Sequence, residues 1–159
     1  MITFQLSGLH HAQFESLNGL TDAGLRARGI FRTRASASPG FPCRISLEDA
    51  PVGEEVLLLP YLHHDVAGPY RALGPIYIRR GASQAILSPG VVPDYVSHRV
   101  ISIRGYDRSN MMIAADVSPG AGVGSRLLEL FQNQDVSYVH LHNAKQGCFS
   151  CLAARVGEP

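Results

Sequence analysis

Three side chains near the end of the chain are candidate metal ligands. His140 and His142 are separated by one residue, and Cys148 follows after a short polar stretch. Alternate residues of a strand lie on the same face of a sheet, so a hairpin would bring both imidazoles and the thiol together. Imidazole and thiolate are ligands for zinc and other transition metals. We therefore predict a transition-metal site at His140, His142 and Cys148.

The remaining donors of such a site would have to come from elsewhere in the chain. The other histidines are His10, His11, His63, His64 and His98. No diagnostic spacing such as His-Glu-x-x-His is present, and two half-exposed histidines beside a free thiol are the structural alternative. The same atoms would also allow a thiol enzyme, with Cys148 as nucleophile and His142 as base. Whether the protein is an enzyme is left open by these residues.

Cys148 and Cys151 have the spacing of a redox pair. Residues three apart on a strand lie on opposite faces of the sheet, whereas a dithiol pair normally sits at a helix N-terminus. The hairpin therefore predicts a buried, inert Cys151. It also predicts that His142 lies near Cys148 and that Phe149 lies on the apolar face.

A second group of side chains could bind an anion. If Ile101 and Ile103 face the core, the other face of that strand carries several polar residues. These are His98, Ser102, Arg104 and Tyr106, and Arg71 of a preceding loop could form a wall beside them. A guanidinium group binds carboxylate or phosphate in a bidentate manner. We predict that Arg71, His98, Arg104 and Tyr106 bind a small anionic ligand, with a solvated sheet face as the alternative.

This anion site would merge with the histidine face if the two C-terminal hairpins were neighbours in the sheet. The sequence does not fix that adjacency. A third hypothesis is a protein-interaction domain without a pocket, which would show an exposed patch of several hundred Å².

Charge is distributed in two opposite blocks. Residues 67–108 contain six arginines and two aspartates, a balance of +4, whereas residues 41–66 contain one arginine and five acidic residues, a balance of −4. Such blocks can simply form ion pairs with each other. The formal net charge of the chain is +1, whereas DNA-binding domains are usually far more basic. A nucleic-acid partner is therefore not expected.

Composition indicates a cytoplasmic protein. No run of eighteen apolar residues is present, and the first twenty residues lack the basic and apolar regions of a signal peptide. Three cysteines, an odd number, fit a reducing compartment better than a disulfide framework. We expect no membrane partner, and the oligomeric state is not determined by the sequence.

The hydrophobic pattern predicts an α+β fold: a single domain over residues 1–159 with a mainly antiparallel sheet and two short helices. The helices are predicted over residues 20–28 and 125–132, and the second is expected to pack on one face of the sheet. Residues 32–40 and 63–75 are predicted loops. The glycine-rich residues 120–124 precede the second helix and indicate a flexible connection rather than a phosphate-binding turn.

Three stretches of the chain resemble a bacterial family that is catalogued only as a domain of unknown function. They are Gly-Phe-Pro-Cys-Arg at 40–44, Gly-Pro-Tyr-Arg at 68–71, and Tyr-Val-His-Leu-His-Asn-Ala at 138–144 leading into Gly-Cys-Phe at 147–149. The likeness extends from Gly40 to Arg155. It implies a single bacterial cytoplasmic domain and brings no catalytic residue, cofactor or substrate with it.

Overall fold

The computed structural model describes residues 1–157 and contains ten strands. They are β1 (Thr3–Ser7), β2 (Phe31–Arg34), β3 (Pro42–Cys43), β4 (Glu48–Asp49), β5 (Glu55–His64), β6 (Ala72–Arg79), β7 (Val100–Tyr106), β8 (Met112–Pro119), β9 (Tyr138–Asn143) and β10 (Phe149–Val156). The α-helices are α1 (Asp22–Arg26), α2 (Asp94–Ser97) and α3 (Val123–Leu130), and His11–Leu17 and Gly120–Gly122 form 3-10 helices.

The strands form two five-stranded sheets. The order of the first sheet is β1-β10-β9-β7-β8, and that of the second is β2-β5-β6-β3-β4. All pairs are antiparallel except β3 and β6, which are parallel. The predicted antiparallel character is confirmed, but the structure contains more sheet than predicted. Because β7 pairs directly with β9, the two C-terminal hairpins are neighbours.

One face of the first sheet packs on α3, as predicted. Val139 and Leu141 of β9 are fully buried in the same core cluster as Leu127 and Phe131. Gly120, just before α3, is required by packing: a Cβ there would lie 2.0 Å from the carbonyl oxygen of Val96. Close backbone approach therefore explains the glycine at position 120.

The second sheet has its own core. Leu57 and Leu59 of β5 pack with apolar residues of β6, of α1 and of the first 3-10 helix. These residues are Ile76, Ile78, Leu25, Phe14 and Leu17. This packing leaves the carboxyl end of β5 to extend beyond the core toward the first sheet.

The strand β5 continues to His64, where a loop was predicted from residue 63. The strand runs through Pro60 because proline is tolerated at an edge, and β2 pairs with β5 only from Glu55 to Leu58. The register with β6 shifts between Tyr61 and His64. Both histidines at this end then contact the ring of His140 on the first sheet.

The helix α2 was not predicted and changes the position of His98. Pro93 is the N-cap residue of α2, and His98 is its C-cap residue. The strand β7 starts only at Val100, so His98 is exposed and does not share the polar face of that strand. No helix within residues 1–157 is both long enough and apolar enough to cross a lipid bilayer.

The two charge blocks form ion pairs with each other. The pairs are Arg79 with Glu48 and Glu54, Arg80 with Glu55, Arg99 with Asp49, and Arg71 with Asp65. Arg99 binds both carboxylate oxygens of Asp49, at 2.6 and 3.0 Å. Within the described part of the chain, Arg104 and Arg108 are the arginines of the positive block without a carboxylate partner.

Candidate metal centre

Three histidines from the two sheets converge on one point. His63 lies at the end of β5, whereas His140 and His142 lie on the face of β9 opposite α3. One ring nitrogen from each lies within 4.8 Å of the other two. His142 is 0% exposed and His140 is 6% exposed, while His63 is partly buried. This arrangement places three imidazole ligands in a largely desolvated space.

Each of the three rings has a buried nitrogen without a hydrogen-bond partner in residues 1–157. These atoms are Nδ1 of His63, Nδ1 of His140 and Nε2 of His142. Leaving a buried polar group unpaired costs about 1–3 kcal/mol, so three neighbouring cases require an explanation. A bound cation would provide one, because it would accept a lone pair from each ring.

The other nitrogen of His142 fixes its tautomer. Nδ1 lies 3.0 Å from the carbonyl oxygen of Gly147, which can only accept a hydrogen bond. Nδ1 therefore carries the proton, and Nε2 retains a lone pair. A backbone carbonyl that orients the ring through its second nitrogen is the usual support for a metal-bound histidine.

The electrostatic environment keeps all three rings neutral at pH 7. Burial, followed by the nearby His64, lowers the pKa of His140 to about 3. Burial also lowers the pKa of His142 to about 3, partly opposed by the hydrogen bond to Gly147. The pKa of His63 falls to about 4 through burial and the charge of Arg104. Metal binding requires the neutral imidazole, which is the form present here.

An aromatic ring, not a thiol, lies beside His142. The register of β10 with β9 shifts between Phe149 and Cys151, and Phe149 pairs with His142. The Phe149 ring stacks on His63 with a centroid distance of 5.6 Å and an interplanar angle of 9°. The predictions that Cys148 neighbours His142 and that Phe149 faces the apolar core are therefore wrong. The β-bulge moved this side chain to the opposite face.

The thiol of Cys148 is engaged elsewhere. Its Sγ accepts a hydrogen bond from Arg44 at 3.0 Å. Arg44 is 1% exposed and also donates to the carbonyl oxygens of Phe149 and Pro42, at 2.8 and 2.7 Å. The three-histidine group does not include Cys148. Cys151 is fully buried in the core under α3, as predicted.

Arg104 lies at the histidine cluster. It pairs with His140 across β7 and β9, and Ser102 pairs with His142. Its Nε donates to Ser102 Oγ at 3.3 Å, and its positive charge acts on the hydroxyl of Tyr106. The Tyr106 ring lies 5.3 Å from that of His140. Because β7 and β9 are neighbours, the two polar faces form one surface, as expected for that arrangement.

His64 has a supporting position next to this cluster. Its Nδ1 donates to the carbonyl oxygen of Tyr70 at 2.7 Å, and its Nε2 lies 2.6 Å from the hydroxyl of Tyr138. That hydroxyl carries a single proton, and it also lies 2.8 Å from Oδ1 of Asn110. Both nitrogens of His64 are therefore occupied, which leaves His63 as the member of the doublet with a free nitrogen.

The four residues predicted to bind an anion are not all brought together. Arg104 and Tyr106 lie at the cluster, whereas Arg71 is exposed and forms an ion pair with Asp65. His98 caps α2 at the surface. Sequence reasoning included His63 only as one of several further ligands and missed Phe149. The sequence signal for His63 was the His63-His64 pair, which follows an apolar strand.

A family model described as a protein of unknown function (DUF1203) matches residues 40–155. The chain belongs to this DUF1203 family. The match confirms the resemblance drawn from residues 40–44, 68–71 and 138–149, and its bounds agree with those inferred from the sequence. All three histidines and Arg104 lie inside the matched region. No curated protein and no solved structure matches the chain.

Proposed function

We propose that this DUF1203 protein binds one divalent transition-metal ion through His63, His140 and His142. The observation that carries the proposal is the convergence of three neutral imidazoles within 4.8 Å, each with an unpartnered buried nitrogen. Imidazole ligands suit zinc, copper, nickel and iron. The ligand set differs from the predicted one, because His63 takes the place of Cys148.

Three protein ligands leave at least one coordination position open. Structural zinc sites are usually closed by four protein ligands, whereas sites with three protein ligands keep a position for water or substrate. A metal ion in this position can polarise a bound carbonyl group or activate a bound water molecule. The ligand set therefore favours a metal-dependent enzyme over a structural metal site. The thiol alternative has less support, because within residues 1–157 the Cys148 thiol accepts hydrogen bonds from Arg44 and Asn143 and has none with His142.

The binding of a small anionic ligand remains a second proposal, with a smaller set of residues. Arg104 and Tyr106 support it, since Arg104 has no carboxylate within 4.0 Å among the described residues. We also propose that the protein acts in a reducing bacterial cytoplasm, which its three free cysteines support.

The experiment is a metal titration of chelator-treated protein, with the metal content of the complex measured by elemental analysis. We expect about one equivalent of Zn²⁺ or Co²⁺ per chain. His63→Ala and His140→Ala should weaken binding by more than the roughly 10–100-fold that loss of an outer-shell contact costs. His98→Ala, an exposed histidine, is the matched control. Binding that is equally strong in all variants would refute the site.

A further inference from the structure

We propose that the open position of the metal takes a carboxylate or another small oxyanion, and that Arg104 binds this anion. The inference rests on the proposed metal site and identifies the class of ligand that it would bind. Three observations support it: the charge of the site, the position of Arg104, and the aromatic groups around it.

The charge of the loaded site would be strongly positive. Three neutral imidazoles contribute no negative charge to a divalent ion, and Arg104 adds a further positive charge. The metal-binding group found in residues 1–157 contains no carboxylate. Unpaired charges in a desolvated site are costly, and a bound anion would reduce that cost. The site therefore favours an anionic ligand over a neutral one.

Arg104 differs from the other arginines of its block. Arg71, Arg79, Arg80 and Arg99 each bind a carboxylate of the acidic block. Arg104 is partly buried, yet the hydrogen bond that its side chain donates within residues 1–157 goes to the neutral hydroxyl of Ser102. A guanidinium group has five N–H donors, so it retains donors for an anion.

The position of Arg104 fits a bridging anion. It lies opposite His140 in the β7–β9 register, and directly opposed residues have Cβ atoms about 4.5–5.5 Å apart. An oxyanion has at least two oxygens, so one can bind the metal while the other accepts from the guanidinium group. No covalent step is required for this binding.

The surroundings favour a small ligand. Aromatic rings line the cluster: Tyr106 at 5.3 Å from the His140 ring, Phe149 at 5.0 Å and Tyr138 at 5.4 Å. Ring atoms lower the local dielectric relative to water, which strengthens the attraction between an anion and Arg104. A compact carboxylate or inorganic oxyanion, rather than a long polyanion, is the ligand that suits this space.

The test uses the visible absorption of Co²⁺-loaded protein, which responds to exchange of a metal ligand. Acetate and inorganic phosphate are titrated separately into wild type, Arg104→Gln and Arg104→Lys. Arg108→Gln is the matched control, because Arg108 is exposed and forms no ion pair within the described residues. Bound Co²⁺ is measured for every variant before the anion is added.

We expect at least one anion to change the wild-type spectrum. Its affinity should fall about 10-fold or more in Arg104→Gln, in line with loss of a charged hydrogen bond, and less in Arg104→Lys. A tighter response to acetate or to phosphate would identify the type of oxyanion. Co²⁺ binding without an effect of either anion, or an equal affinity in Arg104→Gln, would overturn this inference alone. Failure of the wild type to bind Co²⁺ would overturn the metal site as well.

Discussion

Replacing His140 by phenylalanine should stabilise the metal-free protein. His140 is 6% exposed, and its Nδ1 is buried without a partner. An unpaired buried polar group costs about 1–3 kcal/mol, and an apolar ring of similar shape removes that cost without leaving a cavity. We therefore expect the free energy of unfolding at neutral pH to rise by about 1–3 kcal/mol. The same substitution should abolish metal binding.

The stability advantage of His140→Phe over wild type should become larger at acidic pH. The folded-state pKa of His140 is about 3, below its ordinary value of 6.5. As pH falls below 6.5, the unfolded chain therefore binds a proton that the folded chain rejects, and the wild type loses stability until pH approaches the folded pKa. One such group contributes at most about 1.4 kcal/mol per pH unit. The advantage of His140→Phe should thus be about 1.4 kcal/mol greater at about pH 5.5 than at about pH 7.5.

The assay is urea unfolding, followed by circular dichroism, with a chelator present at both pH values. His98→Phe serves as the control because His98 is exposed, and its effect should stay within about 0.5 kcal/mol. His140→Leu tests whether the larger phenylalanine ring is tolerated. The reasoning is refuted if both His140 variants are less stable than wild type at neutral pH, since His140 would then be a satisfied core residue.

Three further results are expected. Cys148→Ser should leave the affinity for Zn²⁺ within about 3-fold of wild type, because the thiol lies outside the three-histidine group. Calorimetry measures this affinity, and a large loss would show that the thiol is a ligand. Gly120→Ala should lower the free energy of unfolding measured in urea by about 1–3 kcal/mol, since its Cβ would lie 2.0 Å from the Val96 carbonyl oxygen. Gly124→Ala in α3 should be neutral or stabilising, because the nearest neighbour of its Cβ would lie 3.4 Å away. Zn²⁺ at 100 times its Kd should raise the free energy of unfolding by about 2.7 kcal/mol, and His63→Ala should remove this effect in a thermal melt.

The sequence predicted the parts of the site that depend on local periodicity. His140 and His142 share a face because alternate strand residues do so, and Val139 and Leu141 accordingly face α3. The same rule failed at Phe149, because the register shift in β10 inserts an extra residue that no local pattern indicates.

Long-range pairing decided what the sequence could not. His63 reaches the site because β5 continues past Pro60, which is possible where β2 no longer pairs with it. The position of His63 therefore depends on where β2, a strand distant in the sequence, stops pairing with β5. His98 was misplaced for a related reason, since a short helix beginning after Pro93 replaced the expected start of β7. Its sequence signal, proline followed by Asp94 in the first turn, is a known helix start.

The two buried or partly buried arginines near the histidines differ in how completely they are satisfied. All three side-chain nitrogens of Arg44 donate hydrogen bonds. The acceptors are the carbonyl oxygens of Phe149 and Pro42 and the sulfur of Cys148, and those at Phe149 and Cys148 belong to the β9–β10 hairpin. Arg44 precedes β4 of the second sheet, so these bonds tie the hairpin that carries His142 to the sheet that carries His63. Among the described residues, the side chain of Arg104 donates only to the Ser102 hydroxyl, and it faces the cluster. A guanidinium group with an acceptor at each of its three nitrogens fixes a structure, whereas free donors beside unpaired imidazoles are available to a ligand. The difference assigns Arg44 to the scaffold and Arg104 to ligand binding.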